Sequence, residues 1–318
     1  MVYILFVIGF YFLIKGADLL VYGASSIAAR FRISDLVIGL TVVAFGTSAP
    51  ELFVNLVASY RGNTNIAIGN ILGSNIFNIL LILGICAVIY PIIIQKTTIY
   101  KEMPFSLLAA VTVGLLANDT LIDRQPSSEL TRIDGLILLC FFSIFLYYVF
   151  EIARKTREEE PVIVTKHMGI TRAVVFVLAG ITGLVVGGNW IVNGAITIAE
   201  AFNVSESLVG LTIVAVGTSL PELATSVVAA IKKNSDIAVG NVVGSNIFNV
   251  FWILGLSSII RPLPFEPESN FDIVMVIFSS LLLFFFGFIG RKHTLTRSKG
   301  VLFLVVYVVY TVYLIWRG

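Results

Sequence analysis

Two acidic residues stand in the middle of apolar stretches, and each is set in the same phrase. Residues 41–51 read T-V-V-A-F-G-T-S-A-P-E and residues 212–222 read T-I-V-A-V-G-T-S-L-P-E. The acids are Glu51 and Glu222. An ionisable side chain inside an apolar, helix-length run is costly to place, and its default reading is a functional site. Pro50 has no N–H to offer the carbonyl of Gly46, its ring crowds that turn, and Gly46 itself weakens a helix. The spacing predicts a helix that breaks here and releases carbonyl oxygens. Irregular backbone at membrane depth is tolerated only where it lines a cavity or is buried in protein. Thr47 precedes Glu51 by four residues and shares a helix face with it, and Ser48 adds a second hydroxyl. The whole inventory is oxygen, which suits hard cations such as Na⁺ and Ca²⁺; soft metals want thiolate or imidazole. Thr218, Ser219, Pro221 and Glu222 repeat it.

A second phrase follows each of these at the same distance: G-N-I-L-G-S-N-I-F-N at 69–78 and G-N-V-V-G-S-N-I-F-N at 240–249. Ser74 and Asn78 are four residues apart and lie on one face, as do Ser245 and Asn249. The glycines permit close helix packing. Asn75 and Asn246 fall off that face and are expected to cap or brace the helix. A lone serine or threonine in such a segment is a packing residue, a lone proline a kink, and a lone glutamate can be a structural hydrogen-bonding group. Here all of them coincide twice at fixed spacing, which is what carries the functional reading.

The elements that hold these residues follow from composition. Of 318 residues, 58% are hydrophobic and 13% charged, and the mean hydropathy is +0.98. Soluble domains carry about 25% charged residues. Apolar runs of about 20 residues, enough to span a bilayer as helices, recur along the chain. The alternating strands of a membrane β-barrel do not. The reading is an all-α integral membrane protein with ten transmembrane helices, at approximately 2–29, 35–59, 66–90, 103–118, 133–152, 170–199, 207–231, 237–260, 271–289 and 300–316. The first apolar run is read as a spanning helix and not as a removed signal peptide.

A shift of 171 residues aligns 34–91 with 205–262 without a gap, and 30 of the 58 positions are identical. Gly16/Gly187 and Gly23/Gly194 carry the register into the preceding span. Five spans per half is an odd number, so the second half enters the membrane from the opposite side. The pattern is an inverted-topology repeat, common in transporters with a site near the midplane. The predicted units are 1–152, a linker at 153–169 and 170–318. With both termini outside, the inner segments carry fifteen Lys and Arg and the outer ones five. The positive-inside rule then puts the linker in the cytoplasm.

Other residues attract weaker readings. Lys15 and Asp18, in the first span, form a local ion pair or position that helix. His167 and His293 are read as solvated loop residues. Glu158 to Glu160 read as a solvated face. Asp119, Asp123, Glu129 and Asp134 fall in an outer loop and read as local surface charges. Cys86 and Cys140 have neither metal-ligand nor C-x-x-C spacing and read as small helix residues.

With both glutamates ionised the site carries about −2, which one Ca²⁺ or two Na⁺ would neutralise. Sharing one pair makes the two cargoes mutually exclusive. A carrier that changes face only when the pair is filled exchanges one for the other. No phosphate-binding G-x-x-x-x-G-K-[ST] loop is present to couple ATP. A channel with a glutamate ring and a non-transporting scaffold are the readings from other classes.

The paired phrases resemble the α-repeats of the cation/Ca²⁺ antiporter superfamily, specifically prokaryotic Na⁺/Ca²⁺ exchangers, over essentially the whole chain. The resemblance implies that Glu51 and Glu222 bridge Ca²⁺ centrally, helped by Thr47 and Thr218. It implies one Na⁺ position at the Ala44 carbonyl, Thr47, Ser48, Glu51 and Ser74. A second would use the Ala215 carbonyl, Thr218, Ser219, Glu222 and Ser245, with Asn78 and Asn249 flanking the middle. It implies exchange of three Na⁺ for one Ca²⁺, electrogenic, at the cell membrane. The partners would be these ions and the lipid bilayer, with no nucleic acid, no obligate protein partner, no cofactor and no enzymatic activity. Some relatives have Asp where Asn249 stands; here both positions are Asn. H⁺/Ca²⁺ exchangers of the superfamily usually carry an acidic residue close to G-N in both repeats, so the phrases here favour Na⁺ as driver.

Overall fold

The computed structural model describes residues 2–62, 64–122, 124–159, 168–201, 215–289 and 293–317. Among these residues the architecture is helical apart from two short ribbons. Eight helices among the described residues are long and apolar enough to cross a membrane. A ninth span is a bent pair, α2 (Asp35–Thr47) and α3 (Ala49–Arg61), which meet at 47°. Before them stands α1 (Val2–Phe31). After them, α4 begins at Thr64–Ile76, passes through a π-helical turn at Phe77–Ile82 and ends at Leu83–Ile89. Helix α5 spans Lys96–Leu116, α6 Arg132–Glu159 and α7 Ile170–Ala201. The predicted span 207–231 lies partly outside the described residues; its described part is α8 (Ala215–Thr218) and α9 (Leu220–Ile231). Helix α10 covers Ser235–Ile260 with a π-helical turn at Phe248–Leu254. Helices α11 (Ser269–Phe286) and α12 (Arg297–Arg317) complete the chain.

The most buried helices are those that carry the second phrase. Along α10, residues 237–251 are buried without interruption, and α4 holds Ile68, Ile71, Leu72, Ile76, Ile79 and Leu80 at 2% exposure or less. The outer helices turn large apolar side chains outward: Ile133, Tyr147 and Phe150 on α6, Val309 and Val312 on α12. Without water outside, this is the side to which lipid tails belong.

Helix α1 packs along α7 through a seam of glycines spaced by seven. A Cβ on Gly9 would lie 2.9 Å from the Gly187 carbonyl, one on Gly16 2.8 Å from that of Gly180, and one on Gly23 2.8 Å from that of Ala173. The backbones touch directly, as small residues allow between helices in a membrane. Gly16→Val is therefore expected to force the pair apart. The cost should be about 1–3 kcal/mol, the usual range for overpacking, read as a lower unfolding temperature in detergent.

Two short antiparallel ribbons tie the connections together. Ile92–Ile93 (β1) pairs with Thr294–Leu295 (β4), and Glu129–Leu130 (β2) with Leu263–Pro264 (β3). Several weaker expectations change here. His293 is half-buried, and its Nδ1 is buried without a partner. Its carbonyl accepts from Ile94 N at 2.8 Å, so the β1–β4 ribbon draws it inward. Asp18 pairs with Lys232, at the end of α9, and not with Lys15. The fourth span starts earlier than residue 103, because Lys96–Tyr100 is already helical. Helix α6 continues through Arg154 and Arg157 to Glu159, helped by an i,i+4 pair between Glu151 and Lys155 at 2.6 Å. Asp119 and Asp134 take local backbone N–H groups, of Glu129 and Thr131. Cys86 is buried and Cys140 exposed, both free thiols on helices. Asp123, Glu160 and His167 lie outside the described residues.

Two neighbouring helix pairs, α5 with α6 and α11 with α12, share a further device. The Tyr148 hydroxyl of α6 donates to Glu102 of α5, which is fully buried. The Tyr310 hydroxyl of α12 donates to Asp272 in the first turn of α11 at 2.9 Å. Each carboxylate is held by the neighbouring helix. Tyr148→Phe removes the donor and leaves a buried acid uncompensated, at a cost of about 1–3 kcal/mol. Thermal unfolding should show that loss, and Glu102→Leu in the Tyr148→Phe background should recover part of it.

Candidate ion-binding site

The predicted breaks occur where Gly-Thr-Ser-x-Pro stands. Ser48 has φ −81° and ψ 8°, Ser219 φ −88° and ψ 5°, and a proline follows at the start of α3 and of α9. The break keeps part of its hydrogen bonding: Leu52 N donates to Ser48 O at 3.0 Å and Leu223 N to Ser219 O at 3.1 Å. The Ala44 carbonyl is not idle either. It accepts from Ser48 N at 2.9 Å and from Thr47 Oγ1 at 3.3 Å. Ala215 opens α8.

The bends bring the glutamates to the protein interior as the first-turn acids of α3 and α9, each 1% exposed. Each is held by a serine from the opposite phrase. Ser219 Oγ donates to Glu51 Oε1 at 3.0 Å, and Ser48 Oγ to Glu222 Oε1 at 2.8 Å. Each is also reached by a serine of its own half: Ser74 to Glu51 Oε1 at 3.5 Å and Ser245 to Glu222 Oε1 at 3.4 Å. Ser74 and Ser219 hydroxyls are 2.9 Å apart. The two oxygen sets named from sequence are thus interleaved, Ser48 lying with Glu222 and Ser219 with Glu51.

A second layer locks the asparagines. Asn75 Nδ2 donates to the Asn246 carbonyl at 3.3 Å, and Asn246 Nδ2 to the Asn75 carbonyl at 3.2 Å. With their nitrogens so used, Asn246 Oδ1 accepts from Asn78 Nδ2 and Asn75 Oδ1 from Asn249 Nδ2, both at 2.9 Å. An amide has one oxygen and one nitrogen end. The lock therefore fixes the orientation of Asn78 and Asn249 and leaves their oxygens free. The π-helical turns begin one residue before Asn78 and Asn249; such turns recur at functional sites because they re-aim side chains.

Four oxygens in this cluster are buried without a hydrogen-bond partner: Glu51 Oε2, Glu222 Oε2, Asn78 Oδ1 and Asn249 Oδ1. Leaving a buried acceptor unpaired costs about 1–3 kcal/mol. Their number and symmetry fit an oxygen-seeking cation, and the serine hydroxyls and Thr47, all buried, supply neutral oxygens around it.

Every residue singled out from the two phrases falls in this region, with Ala215 described by its backbone alone. Sequence reasoning passed over Asn70 and Asn241. Thr47 Oγ1 donates to Asn241 Oδ1 at 3.0 Å and Thr218 Oγ1 to Asn70 Oδ1 at 3.4 Å. Their identity in both copies of the repeat was the available signal. The bracing role expected of Asn75 and Asn246 is what they perform, between the halves and not at a helix end.

The profile of the family described as sodium/calcium exchanger protein matches residues 1–151 and 172–316. Inner membrane protein YrbG of Escherichia coli (strain K12) is 34% identical over 320 residues, covering 98% of this chain and 96% of its own. Sodium/calcium exchanger MaX1 of Methanosarcina acetivorans is 31% identical over 350 residues, covering 99% and 98%. Among solved structures, the sodium-calcium exchanger NCX_Mj superposes with a TM-score of 0.84 at 34% identity, over 98% of this chain and 99% of that one. With nearly its whole length matched and its duplicated acidic phrases meeting in one buried oxygen cluster, the chain is a member of the sodium/calcium exchanger protein family.

Proposed function

We propose that this protein is a secondary antiporter that exchanges Na⁺ for Ca²⁺ across the cell membrane by alternating access. The four unpartnered oxygens carry the reading: two from carboxylates and two from amides, with no thiolate or imidazole among them. Ca²⁺ takes six to eight oxygen ligands, and the free oxygens with Thr47, Thr218, Ser48, Ser219, Ser74 and Ser245 can provide them. The same carboxylates serve Na⁺, so each ion displaces the other. The Ala44 carbonyl joins a Na⁺ shell when the Thr47 hydroxyl turns from it; the Ala215 carbonyl is its counterpart. Three Na⁺ against one Ca²⁺ moves one net charge per cycle, which makes exchange electrogenic.

Ten spans in two inverted five-helix units, 1–152 and 170–318 joined by a cytoplasmic linker at 153–169, with both termini outside, is the matching architecture. The bond partners support it, because the bonds to the two carboxylates and between the asparagines are paired across the halves: Asn75 meets Asn246 reciprocally, and Ser48–Glu222 mirrors Ser219–Glu51. Ca²⁺ uptake into proteoliposomes should be accelerated by internal Na⁺ over internal K⁺ at fixed pH, and the membrane potential should change its rate. Uptake that follows a proton gradient and ignores Na⁺ would make H⁺/Ca²⁺ exchange the correct reading.

A further inference from the structure

The two halves are bonded so nearly alike that their differences are informative. Behind Glu222, Asn241 Nδ2 donates to Ser226 Oγ at 2.9 Å and to the Glu222 carbonyl at 3.3 Å. The repeat counterparts behind Glu51 are Asn70 and Asn55, and there the closure is missing. Asn70 Nδ2, both amide atoms of Asn55, and Ser59 Oγ are buried without partners. Asn55 and Ser59 are each 0% exposed. On α9 the counterpart of Ser59 is Ala230, and beyond Glu222 its one buried side-chain atom without a partner, among the described residues, is the Thr225 hydroxyl.

Glu51, Asn55 and Ser59 are spaced by four on α3, so they form one stripe, with steps of about 6 Å along the axis. The stripe begins at the unpartnered Glu51 Oε2 and runs to the end of the helix at Arg61. Bare amides and hydroxyls at that depth are costly unless water or an ion meets them. Asn55 offers both an oxygen for a cation and an N–H for its water.

We propose that Asn55, Ser59 and Asn70 form a subsite for a partly hydrated Na⁺ or Ca²⁺, through which ions reach Glu51 from the Arg61 end of α3, and that the Glu222 side has no equivalent. The proposal rests on the reading of Glu51 and Glu222 as the cation pair. It makes the two approaches to a symmetric site unequal: one is a wetted stripe, the other is closed by the Asn241–Ser226 bond.

Ser59→Cys and Ala230→Cys, each in a Cys140→Ser background and in detergent where both faces are open, test it with aminoethyl methanethiosulfonate. Access governs thiol modification, so Ser59→Cys should react at least about tenfold faster than Ala230→Cys, and saturating Ca²⁺ should slow it several-fold. Equal rates, or no protection by Ca²⁺, overturn the subsite. In transport, Asn55→Leu should raise the KM for Ca²⁺ about tenfold, and Asn55→Ser, which lets Asn70 close the stripe as Asn241 closes it behind Glu222, should raise it comparably. An unchanged KM in Asn55→Leu also counts against it. These readouts separate the two readings. If the unmodified chain shows no Na⁺-driven uptake while Ser59→Cys is labelled and protected, the exchange reading falls and the subsite stands.

Discussion

Glu51→Gln and Glu222→Gln are each expected to lower Na⁺-driven Ca²⁺ uptake by at least about 100-fold, and by similar amounts. The serines fix how a glutamine would sit. Ser219 and Ser74 donate to Glu51 Oε1, and Ser48 and Ser245 to Glu222 Oε1. The amide oxygen must therefore take the Oε1 place, and the NH₂ group replaces the unpartnered Oε2. A ligand becomes a donor facing the cation. The charge of the pair also falls from about −2 to −1. A carboxylate about 2.4 Å from Ca²⁺ contributes roughly 14 kcal/mol at an effective dielectric constant of 20, before desolvation. A fifth of that surviving in the net binding energy is enough for a 100-fold loss. Tracer Ca²⁺ uptake in Na⁺-loaded proteoliposomes measures it, with size-exclusion chromatography to establish that the variants fold. Full activity in either variant would exclude a shared pair. Ser48→Ala and Ser219→Ala remove a neutral donor and should cost less than either glutamine.

What could be read from the sequence was whatever the duplication made explicit. Gly46, Pro50 and Glu51 have local consequences, a break and a buried charge, and their repetition at Gly217, Pro221 and Glu222 announces a shared site. What needed coordinates was contact between residues distant in sequence. Lys15 is the near partner of Asp18 in sequence, but the ion pair goes to Lys232, brought in by packing of α1 on α9. Glu102 and Tyr148 meet across two helices beyond the reach of the gap-free repeat, so no counterpart at a fixed shift marked them. The π-helical turns at Phe77–Ile82 and Phe248–Leu254 carry no glycine or proline signal. They lie in the two most buried helices. The charged residues after 152 look like a loop by hydropathy, yet they extend α6 because long charged side chains are good helix formers once outside the apolar slab. The interleaving of Ser48 with Glu222 is likewise a tertiary fact: each phrase completes the other's carboxylate shell.

Asn246→Leu is expected to damage both the fold and the site through one mechanism. The leucine is close in volume but removes the acceptor of Asn78 Nδ2 and the donor to the Asn75 carbonyl. Those bonds lie between α4 and α10, so their loss should destabilise the protein by about 2–4 kcal/mol, visible as a lower unfolding temperature. The effect on the ion follows from the amide lock. Asn78 presents its oxygen only because its nitrogen is held by Asn246; released, the amide turns and offers N–H as readily as C=O. The half-saturating Ca²⁺ concentration should then rise about tenfold. A double-mutant cycle isolates this route. In an Asn78→Ala background the amide to be oriented is gone, so adding Asn246→Leu should lower stability further but leave Ca²⁺ affinity where Asn78→Ala put it. Asn75→Leu and Asn249→Ala form the mirror cycle, since Asn249 Nδ2 depends on Asn75 Oδ1. Additive losses of Ca²⁺ affinity in both cycles would mean that the Asn75–Asn246 pair acts on the ion by some path other than orienting its neighbours. Non-additive losses would place these two buried amides behind the ligands, as the part of the site that tells the ligands which way to face.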